Sequence, residues 1–152
     1  MPFSVTNPLP RMGSFRPELR PHAPVVTLPP MQHSPNFLRL VDEAQPRVRE
    51  LTLDQARARL SANPRGTLLD VREDHEWTAG HAAGAVHLGR GILERDLEQQ
   101  YPDFDAEIIM YCGGGYRSVL ACDAAQKMGY RQVWSLIGGY KALVAAGWPI
   151  VR

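Results

Sequence analysis

A cysteine followed by three glycines is the part of this chain that could do chemistry. Cys112 follows the apolar run Ile108-Ile109-Met110-Tyr111 and opens the segment Cys112-Gly113-Gly114-Gly115-Tyr116-Arg117-Ser118. Consecutive glycines adopt backbone dihedral angles that other residues avoid, so their amide N–H groups can converge on one point and hold negative charge. The helical pattern after the loop directs its positive dipole end toward the same point. We therefore expect Cys112 to be a thiolate nucleophile, with the rest of the segment as its cradle.

Three side chains of this segment could support such a site. Arg117 is its one cation, and the planar guanidinium group fits a pair of anionic oxygen atoms. Ser118 is predicted as the N-cap of the following helix, because a serine hydroxyl accepts a hydrogen bond from a free amide there. Tyr116 is predicted to line the mouth of the pocket. The alternative is that Cys112 is a small buried apolar residue at a strand end, and the glycines, the arginine and the cap disfavour it.

The sequence argues against nucleotide, metal and nucleic-acid binding. A glycine-rich turn between a strand and a helix also occurs in nucleotide sites, but the patterns GxGxxG and GxxxxGK[ST] are absent here. The five histidines show no metal-ligand spacing with the two cysteines, so no metal site is predicted. A net charge of +1 gives no reason to expect a nucleic-acid partner.

The hydrophobic pattern predicts an α/β fold with a central, mainly parallel sheet and helices on both of its faces. Thr52-Leu53-Asp54-Gln55 matches a capping box at a helix start. Short apolar runs predict buried strands at residues 67–71, 86–88, 108–111 and 133–136. Further helices are predicted at residues 93–100, 118–128 and 140–146, with Gly129 just beyond the second of these. Ligands of such sheets bind beyond the carboxyl ends of the strands, where Cys112 falls.

From about Leu51 to Pro149, the sequence resembles the rhodanese family of sulfurtransferases. Four motifs occur in the family's order: Leu68-Leu69-Asp70-Val71-Arg72, Gly80-His81-Ala82-Ala83-Gly84-Ala85, the segment that begins at Cys112, and Leu136-Ile137-Gly138-Gly139 followed by Gly147-Trp148-Pro149. The resemblance implies a rhodanese-like domain that transfers sulfane sulfur through a persulfide on Cys112, with Gly113, Gly114, Gly115, Tyr116, Arg117 and Ser118 as the substrate cradle. It implies a small donor such as thiosulfate or a persulfide, a thiol or cyanide as acceptor, and no cofactor.

Two alternatives to a free-standing sulfurtransferase remain open. The first is a sulfur-relay or redox-sensing module that acts on a partner protein, because a proline-rich arm could bind such a partner. The second is a cysteine phosphatase or an arsenate reductase. Cysteine phosphatases have a longer spacing between cysteine and arginine than the four residues that separate Cys112 from Arg117. We expect the shorter loop to fit one sulfur atom better than a phosphate group.

The N-terminal part of the chain differs in composition from the rest. Nine of the 13 prolines fall within the first 35 residues, so residues 1–36 are predicted as an extended or disordered arm. Residues 37–50 are predicted as a linker that could pack on the domain, and residues 51–152 as the rhodanese-like domain. No apolar run is long enough to span a membrane, and no apolar signal segment begins the chain. Two cysteines, one of them a reactive and exposed thiolate, suit a reducing compartment, so a cytoplasmic location is expected.

Four residues near the motifs have a structural and a chemical interpretation. Cys122 is predicted as a buried helix residue rather than a resolving thiol, and Asp70 as a structural strand-end charge. Arg72 could attract an anionic donor or form a salt bridge with Glu76, four residues further on. By the resemblance, His81 is predicted to bond the backbone of a tight connection rather than to act as a base.

Overall fold

The computed structural model of this protein describes residues 33–152. The arm predicted for residues 1–36 therefore lies, up to residue 32, outside the described residues. The helices of the described part are α1 Pro35–Ala44, α2 Leu53–Ala62, α3 Asp74–Ala79, α4 Leu93–Gln100, α5 Tyr116–Lys127 and α6 Gly139–Ala145. Its strands are β1 Glu50–Leu51, β2 Thr67–Asp70, β3 His81–Ala82, β4 Val86–His87, β5 Ile108–Tyr111, β6 Val133–Leu136 and β7 Ile150–Val151.

Five of the strands form one parallel sheet in the order β1-β6-β5-β2-β4. The strand that leads to Cys112, β5, lies in the middle and pairs with β2 and β6. All four of its residues are apolar and buried, as expected for a central strand that is covered on both faces. Because the strands are parallel, the loops after β2, β5 and β6 meet at the same edge of the sheet.

Helices cover both faces of this sheet. Ile108 and Met110 of β5 point into a layer shared with α1, α4 and α5, whereas Ile109 and Tyr111 point into a layer shared with α2 and α6. This alternation follows from the two-residue period of side chains along a strand. The predicted α/β fold, with a parallel sheet between two layers of helices, is confirmed.

Several element boundaries follow directly from local sequence signals. The capping box at the start of α2 is present: Thr52 Oγ1 accepts a hydrogen bond from the amide of Gln55 at 3.3 Å, and Gln55 Oε1 accepts one from the amide of Thr52 at 2.9 Å. The ranges predicted for α4, β5 and β6 agree with the structure. Gly129, with a φ of 109°, follows the C-cap of α5 as predicted. The pattern did not predict α1, α3, β1 or the antiparallel pair of β3 and β7.

The segment before the family resemblance packs on the first layer of the core. Helix α1 buries Val41 and Ala44, and β1 pairs with β6. Arg47 then forms a double ion pair with Asp123 of α5, with both N–O distances at 2.9 Å. Residues 37–50 thus contribute most of helix α1 and the first residue of strand β1 to the described structure. The domain division made from the sequence stays a prediction. Within residues 33–152, no helix has the length and apolar character needed to cross a membrane.

Candidate active site

Cys112 follows β5 at the sheet edge where parallel sheets bind their ligands. Its exposed fraction is 1%, so the prediction of an exposed thiolate is wrong. The physical reason is that the segment after Cys112 turns directly into α5, and the sulfur belongs to the core layer that α5 covers. Any reactant must therefore enter the loop in order to reach Sγ. Residues 112–118 are called the Cys112 loop below.

The backbone of Gly115 donates a hydrogen bond to the sulfur. The distance from its amide nitrogen to Cys112 Sγ is 3.1 Å. Gly115 has a φ of 101°, a left-handed conformation that glycine adopts without the strain of a side chain. It is also the N-cap of α5, so the positive end of this 12-residue helix lies beside the sulfur. This geometry favours negative charge on Sγ.

Ser118 contacts the sulfur through its side chain. The prediction that Ser118 caps the helix is wrong, because α5 already begins at Tyr116. Ser118 lies in the first turn, fully buried, with Oγ 3.6 Å from Cys112 Sγ and 2.7 Å from Ser135 Oγ of β6. Ser135 was not among the predicted site residues. A serine inside an otherwise apolar buried strand was the available signal, since a buried hydroxyl requires a partner.

The turn between β6 and α6 holds the other side of the Cys112 loop. The amide of Tyr140 donates to the carbonyl oxygen of Cys112 at 2.7 Å, and the amide of Lys141 donates to that of Gly113 at 3.1 Å. Gly138 and Gly139 precede them with φ values of 78° and 52°. These glycines belong to the fourth family motif, but their position beside Cys112 was not predicted from the sequence.

Arg117 is paired with a carboxylate. Its Nη1 and Nη2 atoms donate to the two carboxylate oxygens of Glu76 of α3 at 2.7 and 2.9 Å. The pairing with Arg117 lowers the pKa of the Glu76 carboxyl from its usual 4.5 to about 2 and raises the pKa of the guanidinium. The arginine was predicted to fit a pair of anionic oxygen atoms. In the structure, that pair belongs to Glu76.

Tyr116 lies between the Cys112 loop and the N-terminal helix. Its ring is 39% exposed and lies 4.4 Å from the ring of His33 and 6.4 Å from that of Phe37 in α1, measured between centroids. A groove of about 320 Å³ runs between α1 and the loop. Its lining includes the polar residues Asp42, Gln45 and Glu50, together with Gly114, Gly115 and Tyr116 of the loop.

Asp70 and Arg72 form a buried ion pair with each other. Arg72 Nη2 lies 2.8 Å from Asp70 Oδ2, and the two side chains are 4% and 0% exposed. The same nitrogen donates to the carbonyl oxygen of Gly80 at 2.7 Å, which fixes the connection after α3. The structural interpretation of Asp70 is confirmed, and the alternative salt bridge from Arg72 to Glu76 is replaced by this pair.

His81 and Cys122 have structural surroundings. The Nδ1 atom of His81 lies 3.0 Å from the carbonyl oxygen of Trp77, and the two rings stack with centroids 3.4 Å apart. Cys122 is fully buried in α5, and this burial raises the pKa of its thiol far above the usual 9.0. Both structural interpretations are confirmed. Among the described residues 33–152, no three His, Cys, Asp or Glu side chains converge in a way that could hold a metal ion.

A cysteine at the carboxyl edge of a parallel sheet, inside a glycine loop that opens a helix, defines a class of α/β proteins with a cysteine at the ligand-binding edge of the sheet. Within that class the match is specific. A family model described as "Rhodanese-like domain" matches residues 52–146, and the chain belongs to this family.

Three relatives illustrate this membership. The chain is 27% identical over 92 residues to the "Putative sulfur carrier protein YrkF" of Bacillus subtilis (strain 168), across 60% of this chain and 49% of that protein. It therefore spans about half the length of this curated relative. The solved structure of the human single-domain sulfurtransferase TSTD1 is 27% identical, with a TM-score of 0.57 over 63% of this chain and 95% of that one. RPA3614 of Rhodopseudomonas palustris CGA009, named a "possible tyrosine phosphatase" of unknown function, is 30% identical, with a TM-score of 0.69 over 80% and 98% of the two chains.

Proposed function

We propose that this protein is a sulfurtransferase that moves sulfane sulfur from a donor, such as thiosulfate or a persulfide, to a thiophilic acceptor through Cys112. The observation that carries the proposal is the 3.1 Å hydrogen bond from the Gly115 amide to Sγ at the N-terminus of α5. A backbone donor and a helix dipole at this point stabilise the thiolate, which is the attacking form of a cysteine. Membership of the rhodanese-like family and the name of the human relative support the same chemistry.

The proposed reaction is a two-step exchange on one sulfur atom. In the first step, the Cys112 thiolate attacks the outer sulfur of the donor. A bond between Sγ and that sulfur forms, the donor's own bond to it breaks, and the leaving group departs with the electron pair as sulfite or as a thiolate. In the second step, an acceptor thiolate or cyanide attacks the outer sulfur of the Cys112 persulfide. The Cys112 thiolate is then released, so the protein ends the cycle unchanged and needs no metal or organic cofactor.

The residues of the Cys112 loop take different parts in this proposal. Gly115 and the hydroxyl of Ser118 hold the sulfur of Cys112, as their distances to Sγ suggest. The amides from Gly113 to Ser118 form the cradle of the transferred sulfur. Arg117 holds the shape of the loop through its ion pair with Glu76.

Mass spectrometry of the protein after incubation with a persulfide donor tests the proposal. We expect a gain of the mass of one sulfur atom on Cys112, which disappears when a thiol acceptor is added. Cys112→Ser should form no adduct and transfer no sulfur while it keeps its fold, and Cys122→Ser serves as the matched cysteine control. A wild-type protein that gains no sulfur, or a Cys112→Ser variant that still transfers it, contradicts the proposal.

A second candidate function is a sulfur relay to a partner protein. The relative named a sulfur carrier favours it, and the proline-rich segment at residues 1–32 supplies a candidate binding arm. Removing residues 1–32 separates the two functions. Unchanged transfer to small thiols and to protein acceptors supports a free-standing enzyme, whereas a loss confined to protein acceptors supports the relay.

A cysteine phosphatase is the remaining candidate, because one related structure, of unknown function, is named a possible tyrosine phosphatase. The spacing of four residues between Cys112 and Arg117 disfavours it, since the loop is short for a phosphate group. Hydrolysis of an aryl phosphate by the wild type, lost in Cys112→Ser, would establish this activity.

We also propose a reducing, cytoplasmic compartment. Both cysteines are free thiols in the structure, and Cys112 must be reduced in order to attack a donor. Fractionation of cells followed by detection of the protein tests this location.

A further inference from the structure

The ion pair of Arg117 and Glu76 controls the charge beside the reacting sulfur. A Cβ atom built on Gly113 would lie 3.2 Å from Arg117 Nη2, so the guanidinium group packs directly on the residue after Cys112. Both of its terminal nitrogens donate to Glu76. The carboxylate is fixed in turn, because Glu76 Oε2 also accepts a hydrogen bond from the amide of Glu73 at 3.0 Å. The cation of the Cys112 loop is thus neutralised by a partner that is held in place.

The rest of the loop adds little positive charge. The three positions after Cys112 are glycines and bring no side chain to the site. Lys141, whose amide bonds the carbonyl oxygen of Gly113, is exposed at the start of α6. On the other side of the loop, the groove against α1 contains the carboxylates of Asp42 and Glu50. An anionic donor therefore meets a loop whose arginine already has a counterion.

Sulfur donors differ in the charge that they bring to a thiolate. Attack of a thiolate on thiosulfate brings a dianion against an anion, and sulfite leaves as a dianion. Attack on the outer sulfur of a protonated persulfide, R–S–SH, involves only the charge of the thiolate: the bond from Sγ to the outer sulfur forms, the R–S bond to it breaks, and R–S⁻ leaves with the electron pair while the proton stays on the transferred sulfur. Free cations near Sγ therefore favour the first reaction much more than the second.

We propose that Glu76 is a specificity-determining residue that makes this site prefer thiol persulfides of low charge over the dianion thiosulfate. The proposal rests on the sulfurtransferase function proposed above and names its donor class. Glu76 acts by occupying both terminal nitrogens of Arg117, so the guanidinium group fixes the loop but does not bind an anionic donor.

Donor selectivity of three proteins tests the proposal. For each protein, kcat/KM is measured with thiosulfate and with the persulfide of the uncharged thiol 2-mercaptoethanol, using one acceptor. We expect the wild type to prefer the persulfide. Glu76→Gln should raise the ratio of kcat/KM for thiosulfate to that for the persulfide by about tenfold, because it frees the Arg117 cation to attract the dianion.

Asp74→Asn is the matched control. It removes the same charge from the same helix, but the Asp74 side chain is 99% exposed. Within the described residues 33–152, Asp74 makes no hydrogen bond to Arg117. Its ratio of the two kcat/KM values should equal that of the wild type. In the double variant Glu76→Gln/Arg117→Gln, the gain with thiosulfate should disappear, which shows that the gain depends on the freed guanidinium.

The salt dependence of the wild type is a second test, which does not depend on the folding of any variant. Added salt weakens the interaction between a charged substrate and the field of a protein. For wild type, kcat/KM with thiosulfate should stay constant or rise with salt, whereas in Glu76→Gln it should fall. A wild-type value that falls steeply with salt, a wild-type preference for thiosulfate, or equal donor ratios in Glu76→Gln and Asp74→Asn overturns the selectivity proposal. Failure of Cys112 to accept sulfur from either donor is a distinct result, since it overturns the proposed function itself.

Discussion

Gly139 lies directly against the carbonyl group of Cys112. A Cβ atom at Gly139 would be 3.0 Å from the Cys112 carbonyl carbon and closer still to its oxygen. This approach allows the next amide, that of Tyr140, to donate its 2.7 Å hydrogen bond to the same oxygen. The backbone of the proposed nucleophile is thus fixed from the first turn of α6, at a position that has no space for a side chain.

Gly139→Ala should therefore impair both stability and sulfur transfer. The φ of 52° alone costs an alanine about 1–2 kcal/mol, and the contact with the Cys112 carbonyl adds to this cost. We expect a lower free energy of unfolding in urea and a slower formation of the Cys112 persulfide in single-turnover experiments.

The control for this variant is Gly91→Ala, since no atom lies within 4 Å of a Cβ at Gly91 and its φ is not in the left-handed region. Equal effects of the two substitutions on persulfide formation would show that the contact with Cys112 does not matter.

Ser135→Ala should slow sulfur transfer, although the Ser135 hydroxyl bonds Ser118 rather than Cys112 Sγ itself. The hydroxyl of Ser135 lies 2.7 Å from Ser118 Oγ and orients that group toward Cys112 Sγ. Loss of this orienting hydrogen bond, worth about 1 kcal/mol, corresponds to about a fivefold slower step. The measurement is the rate of persulfide formation, with the exposed Ser61→Ala as control.

A double-mutant cycle separates this positioning role from a general loss of stability. If Ser135 acts through Ser118, then Ser118→Ala/Ser135→Ala should be no slower than Ser118→Ala alone. Additive effects of the two substitutions would mean that Ser135 acts on the reaction by another route.

The parts of the fold that were predicted correctly are those with strong local signals. The run of four apolar residues at Ile108–Tyr111 has no polar position to turn toward water, so it specifies a buried central strand. The capping box at Thr52 specifies the start of α2 through its own two hydrogen bonds. Helix α1 was missed because its first residue, Pro35, was counted with the proline-rich segment before it, although a proline is common at a helix start. Strand β1 was missed because it has only two residues, so its assignment depends on pairing with β6.

The errors in the site prediction have the same origin. Ser118 was predicted as an N-cap because Tyr116 and Arg117 were assigned to the loop, yet Gly115 is the N-cap and α5 begins at Tyr116. The pairing of Arg117 with Glu76 joins residues 41 positions apart, and no local pattern specifies such a contact. The contact of Ser135 with Ser118 also escapes local prediction, because it depends on the placement of β6 beside β5.

Cys122→Ala should leave sulfur transfer unchanged. Cys122 is fully buried in α5, and the raised pKa of its thiol keeps it in the unreactive form. We expect a loss of about 1 kcal/mol in the free energy of unfolding, from the small cavity that the substitution leaves. In the native wild type, a thiol reagent should label Cys122 only after unfolding in urea. Labelling of Cys122 in the native protein, or loss of persulfide transfer in Cys122→Ala, would support a resolving thiol instead.

The ion pair of Glu76 and Arg117 should make stability depend on pH in the acidic range. The folded-state pKa of Glu76 is lowered from 4.5 to about 2, chiefly by its hydrogen bonds with Arg117. The folded state therefore holds the carboxylate more strongly than the unfolded state does, and the stabilisation is fully present above pH 4.5. As the pH falls from 4.5 to about 2, this contribution is lost, and the free energy of unfolding decreases.

Urea unfolding at a series of pH values measures this contribution when the wild type is compared with Glu76→Gln. The variant should be less stable than the wild type at neutral pH and should lose less stability between pH 4.5 and about 2. Asp123, whose pKa is also lowered to about 2 by Arg47, remains in both proteins, so some acid dependence persists in the variant. Glu98→Gln makes the same chemical change at an exposed position of α4 and should keep the wild-type profile. If Glu76→Gln and Glu98→Gln follow the same profile, the pair that holds Arg117 beside Cys112 does not stabilise the fold.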